Sequence, residues 1–176
     1  KIPIRLVKGA YWDSEIKHAQ VQGLKNYPVF TKKDYTDLNY IACAKKILEN
    51  DEYIYPQFAA HNAVTAATVI ELAGDKVFEF QKLYGMGNAL HKELIDKRSV
   101  RIYAPVGTTK DLLAYLMRRM LENGASANFV SKVNSRDISI DEIAYDVNDR
   151  VLNLLDNANK IVLPENIYPN RKNGMG

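Results

Sequence analysis

A single cysteine, Cys43, among 176 residues excludes an intrachain disulfide and fits a reducing compartment. No apolar run approaches the ~20 residues a membrane helix needs, so no spanning helix is expected. Neither sign of charge dominates. The 24 basic and 21 acidic residues leave a net charge of +3, too balanced to point to nucleic-acid binding. Nine glycines and six prolines are too few for a collagen-like chain. There is no signal-peptide pattern, internal repeat, P-loop or G-x-S-x-G, and no spacing of His, Cys, Asp and Glu that suits a metal. Gly85-x-Gly87 lacks the third glycine and the acidic partner of a dinucleotide fingerprint. What is present is the composition of a folded domain, 47% hydrophobic and 26% charged. The chain starts Lys1-Ile2-Pro3, directly in a strand-like run with no initiator Met, as an excerpt of a longer protein would.

Strand and helix signals alternate. Strands are expected at 2–7, where a β-branched apolar run reads as buried, and at 53–60, 77–84 and 100–104, although Pro56 weakens the second. Helices are expected at 14–24, 34–49, 63–72, 89–96 and 111–123. Asn62 and Thr108 or Thr109 are placed as N-caps, and Gly74 and Gly124 as stops. The expected inner stripe of the second helix is Leu38, Ile41, Ala42, Ala44, Lys45 and Leu48, with Cys43 a small buried side chain. Four strand–helix units of this kind signal an α/β fold with a parallel sheet covered by helices. After Val133 the character changes. Residues 134–140 read as polar loop, 141–159 as an acidic amphipathic helix, and 171–174 as linker, which divides the chain into 1–133 and 134–176.

In parallel α/β folds ligands gather where strands end and helices begin. Those places here are Gly9 to Trp12, His61-Asn62, Tyr84 to Gly87 and Tyr103 to Gly107, rich in Gly, Tyr and His. Arg118 and Arg119 are adjacent on one helix, with Glu122 four and three residues on and able to hold either. Two long guanidinium side chains can converge on a carboxylate or phosphate. Spacing alone favours a solvated helix face with an ordinary ion pair over such a clamp. His61 reads as a ligand contact, an acid–base group or a structural histidine, and His18 and His91 as surface residues. Tyr11-Trp12 can pack on a ligand ring or fill a rim.

Five segments in order carry a family resemblance: Arg5-Leu6-Val7-Lys8-Gly9-Ala10-Tyr11-Trp12-Asp13, Tyr55 to Ala63, Gln81 to Gly87, Arg101 to Gly107, and Tyr115 to Asn123. Together they resemble the signatures of proline dehydrogenase, a flavin enzyme family, and the long first segment and the tail after Val133 look most like its bacterial bifunctional proline-utilization branch. The resemblance implies the C-terminal half of a distorted (β/α)8 barrel, with residues 111–123 as the last barrel helix over the mouth. That reverses the solvated-face reading of Arg118 and Arg119.

The implied reaction oxidises L-proline to Δ1-pyrroline-5-carboxylate by hydride transfer to N5 of FAD, with electrons passed to a quinone. The implied roles follow. Arg5 is catalytic and contacts FAD near N5. Tyr11, Leu83, Tyr103, Arg118 and Arg119 bind proline. Val7, Lys8, Gly9, Trp12, Thr31, His61, Asn62 and Glu122 contact the cofactor. No metal is implied. Where the family usually has Thr before its histidine, this chain has Ala60, which removes one polar contact. The family's substrate-binding lysine and aspartate belong to the N-terminal half of the barrel, a necessary partner of this segment. A downstream aldehyde dehydrogenase domain, and a cytoplasmic location with a peripheral place at the inner face of a bacterial membrane, go with the same branch. DNA binding in some members resides in a separate domain. The contrasting reading is a non-catalytic half-barrel that serves as a scaffold, for which a row of polar residues at the strand ends has no use.

Overall fold

Period-two alternation decides which side of each strand is apolar. In Glu79-Phe80-Gln81-Lys82-Leu83, phenylalanine falls on one face and the acid and amide on the other. A computed structural model of the chain describes residues 1–9, 11, 14–120, 161–167 and 170. Its strands are β1 (Ile2–Leu6), β2 (Ile54–Ala59), β3 (Glu79–Leu83) and β4 (Ser99–Tyr103). The helices are α1 (Ser14–Gln22), α2 (Lys33–Glu49), α3 (Ala63–Ala73), α4 (Asn88–Ile95) and the helical residues 109–120, here α5. All three strand pairings are parallel, in the order β1-β2-β3-β4. The expected parallel α/β sheet is present. Among the described residues β1 and β4 each have one neighbour, so these four strands form an open sheet.

The chain divides into two units. The first comprises Lys1–Gly9 and the described residues from Asn39 to Met120. Its register aligns Leu6 with Phe58, Phe58 with Phe80 and Phe80 with Val100. These residues face Tyr40, Ala44 and Leu48 of α2, Ala66, Val69 and Ala73 of α3 and Leu94 of α4, in one apolar core. Phe78 stands edge-on to Phe58 and Phe80, at centroid distances of 5.5 and 5.1 Å. The helices of this core therefore all cover one face of the sheet. Burying a phenylalanine in it is worth roughly 1.5–3 kcal/mol.

Four local expectations need correction. β1 is mostly exposed, not buried, because among the described residues it has a strand neighbour on one side only. Cys43 is half-buried. The inner stripe of α2 is Tyr40, Ile41, Ala44, Ile47 and Leu48, whereas Ala42 and Lys45 are exposed. Tyr40 takes the inner position because its ring packs in the core while its hydroxyl donates to the Ala59 carbonyl at 3.3 Å. His91 is buried, at 3% exposure, not at the surface. Pro56 does stand inside β2, where it pairs with Ile4 of β1. The pairing of β2 with β3 begins one residue later, at Gln57, so the missing N–H falls outside that ladder. Caps follow the sequence signals among the described residues, outside which the stop expected at Gly124 lies. Asn62 Oδ1 accepts from Thr65 N at 3.0 Å, and Gly74 (φ 52°) donates its N–H to Ile70 O. Thr108 O accepts from Leu112 N at 2.9 Å at the start of α5.

The second unit comprises the described residues from Tyr11 to Leu38 together with 161–167 and 170. In it Tyr27 donates to the Val162 carbonyl at 2.7 Å and accepts from Gln20 at 3.2 Å. Ala19 of α1 is fully buried, and His18 is exposed as expected. The helix expected at 141–159, the linker at 171–174 and the boundary at 133 lie outside the described residues. Among the described residues no helix is long and apolar enough to cross a membrane.

Candidate functional site

The face of the sheet opposite the phenylalanines is polar. Arg5 stands on β1, Tyr55 and Gln57 on β2, Glu79, Gln81 and Leu83 on β3, and Arg101 and Tyr103 on β4. At its centre Glu79, 1% exposed, accepts five hydrogen bonds. Tyr55 Oη donates at 3.2 Å, Gln57 Nε2 and Gln81 Nε2 at 2.9 Å each, and Arg101 Nε and Nη2 at 2.7 and 2.9 Å. Arg101 and the neighbouring donors hold the carboxyl well below the usual carboxylate range, at about 2, against the opposing effect of burial. It is thus an anion at neutral pH.

Arg5 reaches across the sheet. Its Nε donates to Gln81 Oε1 at 2.7 Å, two strands away, and its guanidinium carbon lies 5.0 Å from the centre of the Tyr103 ring. Two strand spacings are about 9.6 Å; on that face Arg5 aligns with Gln57 of β2, and Gln81 with the small Ala59. Burial raises the pKa of Tyr103, and Arg5 and Arg119 oppose the rise.

At the C-terminal ends of β2 and β3 two histidines meet edge to face, with ring centres 5.9 Å apart. Leu83 N donates to His61 Nε2 at 3.0 Å, so the proton of neutral His61 is on Nδ1. His91 Nε2 donates to Ala60 O at 2.9 Å, which leaves His91 Nδ1 as a buried acceptor with no partner among the described residues. Burial, then the charges of His91, Arg119, Lys82 and Arg5, push His61 down to about 4. Burial also lowers His91. Both are neutral at pH 7. Gly87, in the left-handed region at φ 61°, closes over them. A Cβ there would lie 3.1 Å from His61 Cδ2 and 3.2 Å from His91 Cδ2.

The expected site residues of the first unit gather at this end of the sheet. Val7, Lys8 and Gly9 continue past the last β1 pairing, Leu6 with Phe58. The Lys8 ammonium donates to Thr65 Oγ1 at 2.8 Å and lies 5.0 Å from the Tyr40 ring centre, so its side chain turns toward the helices. Asn62 spends Oδ1 on the α3 cap. Leu83 is 1% exposed. On α5 Arg119 is buried at 7% exposure, over Tyr115 at 5.4 Å, and Arg118 is half-buried. Neither is on a freely solvated face. Tyr11 and Thr31 belong to the second unit, and Trp12 and Glu122 lie outside the described residues.

Sequence reading missed Glu79, Gln81 and Arg101 as a network, and His91 as a buried neighbour of His61. The signal for the first three was the alternation itself, which puts Glu79 and Gln81 on the face of Leu83, and Arg101 on that of Tyr103.

The family model described as "Proline dehydrogenase" matches residues 1–132. The chain belongs to the proline dehydrogenase family. It is 47% identical to the bifunctional protein PutA of Klebsiella aerogenes, over 100% of this chain and 15% of that protein. It is 36% identical to proline dehydrogenase 1 of Bacillus subtilis, over 73% of this chain and 40% of that protein. Among solved structures, a variant of Bradyrhizobium japonicum proline utilization A covers all of this chain and 19% of its own, at 49% identity and a TM-score of 0.83. Proline utilization A of Bdellovibrio bacteriovorus covers 84% of this chain at 39% identity and a TM-score of 0.72. The chain thus spans less than two thirds of the length of these relatives.

Proposed function

We propose that this segment forms the C-terminal half of a (β/α)8 proline dehydrogenase barrel, and that its polar sheet face and α5 bind FAD and L-proline for oxidation to Δ1-pyrroline-5-carboxylate. Family membership supports proline as the substrate. Sequential parallel strands with the core helices on one face support the barrel, because a doubly wound sheet carries helices on both. An N-terminal half would pair with the free edges and supply the remaining substrate contacts. The likeness to bifunctional relatives supports a downstream aldehyde dehydrogenase domain in the same polypeptide. A quinone acceptor, and with it a cytoplasmic enzyme that meets the membrane peripherally, completes the reading.

The residues suit a flavin. The backbone of Val7 to Gly9 lies beyond the last pairing of β1 with β2, at the strand mouths. His61 offers Nδ1–H beside a glycine with no Cβ, and Arg5 places a cation at the strand mouths. When bound, the flavin supplies the redox chemistry, accepting a hydride at N5. The chain's own residues bind and orient. Arg118 and Arg119 hold the proline carboxylate, Tyr103 walls the ring and Leu83 offers an apolar contact. Arg5 presents a positive charge that favours the reduced, anionic ring. His61, neutral at pH 7, serves as a hydrogen-bond donor from Nδ1, not as a general acid.

The observation that carries this reading is the burial of Arg119 in a position that acts electrostatically on both Tyr103 and His61, as Arg5 also does. The test uses the full polypeptide from which these residues come. It should purify with a flavin spectrum that bleaches when L-proline is added without oxygen. Absence of flavin, or a flavin indifferent to proline, would overturn the reading.

A further inference from the structure

We propose that Glu79 is a positioning residue that acts through Gln81 to fix Arg5. The inference rests on the flavin reading for its consequence, but its geometry stands within the sheet. Gln81 is 5% exposed and its amide bridges two groups of opposite demand. Its Nε2 donates to Glu79 Oε1 at 2.9 Å, and its Oε1 accepts from Arg5 Nε at 2.7 Å. An ionised carboxylate only accepts and a guanidinium only donates. A flipped amide would therefore face oxygen to oxygen and N–H to N–H. Glu79 thus sets the polarity of Gln81, and Gln81 in turn presents an acceptor to Arg5.

Among the described residues the bond engages Arg5 at Nε and leaves the terminal nitrogens, at the far end of the guanidinium, for a ligand. Arg101 has a separate part. It pairs with Glu79 through two hydrogen bonds while itself 61% exposed on its side chain, and keeps the buried carboxylate ionised. The chain of contacts runs Arg101, Glu79, Gln81, Arg5 across β4, β3 and β1. Arg5 is a long, flexible side chain on an edge strand among the described residues, and without this anchor it would lose its place beside Tyr103.

The test compares Gln81→Met, Arg5→Met and the double variant in the full flavin-loaded polypeptide. Gln81→Met keeps side-chain length and leaves the Glu79–Arg101 pair intact. It should retain flavin, slow proline-dependent flavin reduction about tenfold, and lower the flavin midpoint potential by about 30 mV, the equivalent of tenfold in a two-electron equilibrium. In the Arg5→Met background Gln81→Met should add nothing further. Glu79→Gln should shift the potential in the same direction by less. If that variant fails to fold, the Gln81→Met cycle decides alone. A readout free of cofactor is the exchange of the Arg5 Nε proton with water, assigned by its loss in Arg5→Met. It should quicken about tenfold in Gln81→Met. An unchanged potential with unchanged exchange, or additive effects in the double variant, would overturn the proposal. A wild-type flavin that proline fails to reduce, with exchange behaving as expected, would contradict the function and leave the positioning intact.

Discussion

The two faces of this sheet are made by the same strands and obey different chemistry. Phe80 and Gln81 are consecutive in β3. Phe80 is fully buried in the apolar core, and Gln81, one residue on, bridges a carboxylate and a guanidinium. On the helical face neighbours are interchangeable within limits of volume, because dispersion and burial are non-directional. On the other face each group has a donor or acceptor role that a substitute of equal size does not reproduce. One face therefore carries stability, and the other carries geometry.

Breaking the apolar face should have the largest effect on stability. Phe80→Ala is expected to cost about 3–5 kcal/mol, read as a lower denaturant midpoint of the full polypeptide. The functional face should respond differently. His61→Ala removes a buried hydrogen bond at the strand mouths and should weaken flavin retention by about 1–3 kcal/mol, with proline KM changed less. Unchanged flavin affinity with a raised KM would move His61 to the substrate. Acid sharpens the same contrast. The folded pKa of His61 is depressed to about 4 from an ordinary 6.5, so its contribution to stability is present above pH 6.5 and lost as pH falls toward 4. His91, depressed by burial, adds in the same direction. His61→Gln should flatten the melting temperature against pH in that window, whereas Phe80→Ala should lower the curve without changing its slope. The smallest effect belongs to a cap. Asn62→Ala leaves Thr65 N–H without its acceptor and should cost about 1 kcal/mol in an unfolding titration.

The elements were legible because their signals are local. Short apolar runs marked β1 to β4, Asn62 and Gly74 bracketed α3, and the ordered motifs located the strand ends where Arg5, His61, Leu83 and Tyr103 now stand. What escaped depends on partners distant in sequence. Whether Glu79 meets Arg101 or Arg5 meets Gln81 is a matter of register between strands, over separations of 22 and 76 residues, which no single strand records. His91 has Lys92 and Glu93 beside it and reads as surface, yet α4 turns it inward beneath Gly87. Tyr40 is absent from the expected stripe of α2, because a hydroxyl suits the core only where an acceptor such as the Ala59 carbonyl lies beside it.

The central claim is that Arg118 and Arg119 of α5 hold the substrate carboxylate beside the polar face. The most direct test is the inhibition constant of a proline analogue that keeps the carboxylate and lacks the ring nitrogen, measured on the full polypeptide and on Arg118→Met and Arg119→Met. A charge-assisted contact worth about 1.5–3 kcal/mol predicts a loss of ten- to hundredfold for each variant, with the protein folded and its flavin retained. An inhibition constant that stays the same in both would contradict the clamp and return the arginines to a structural role.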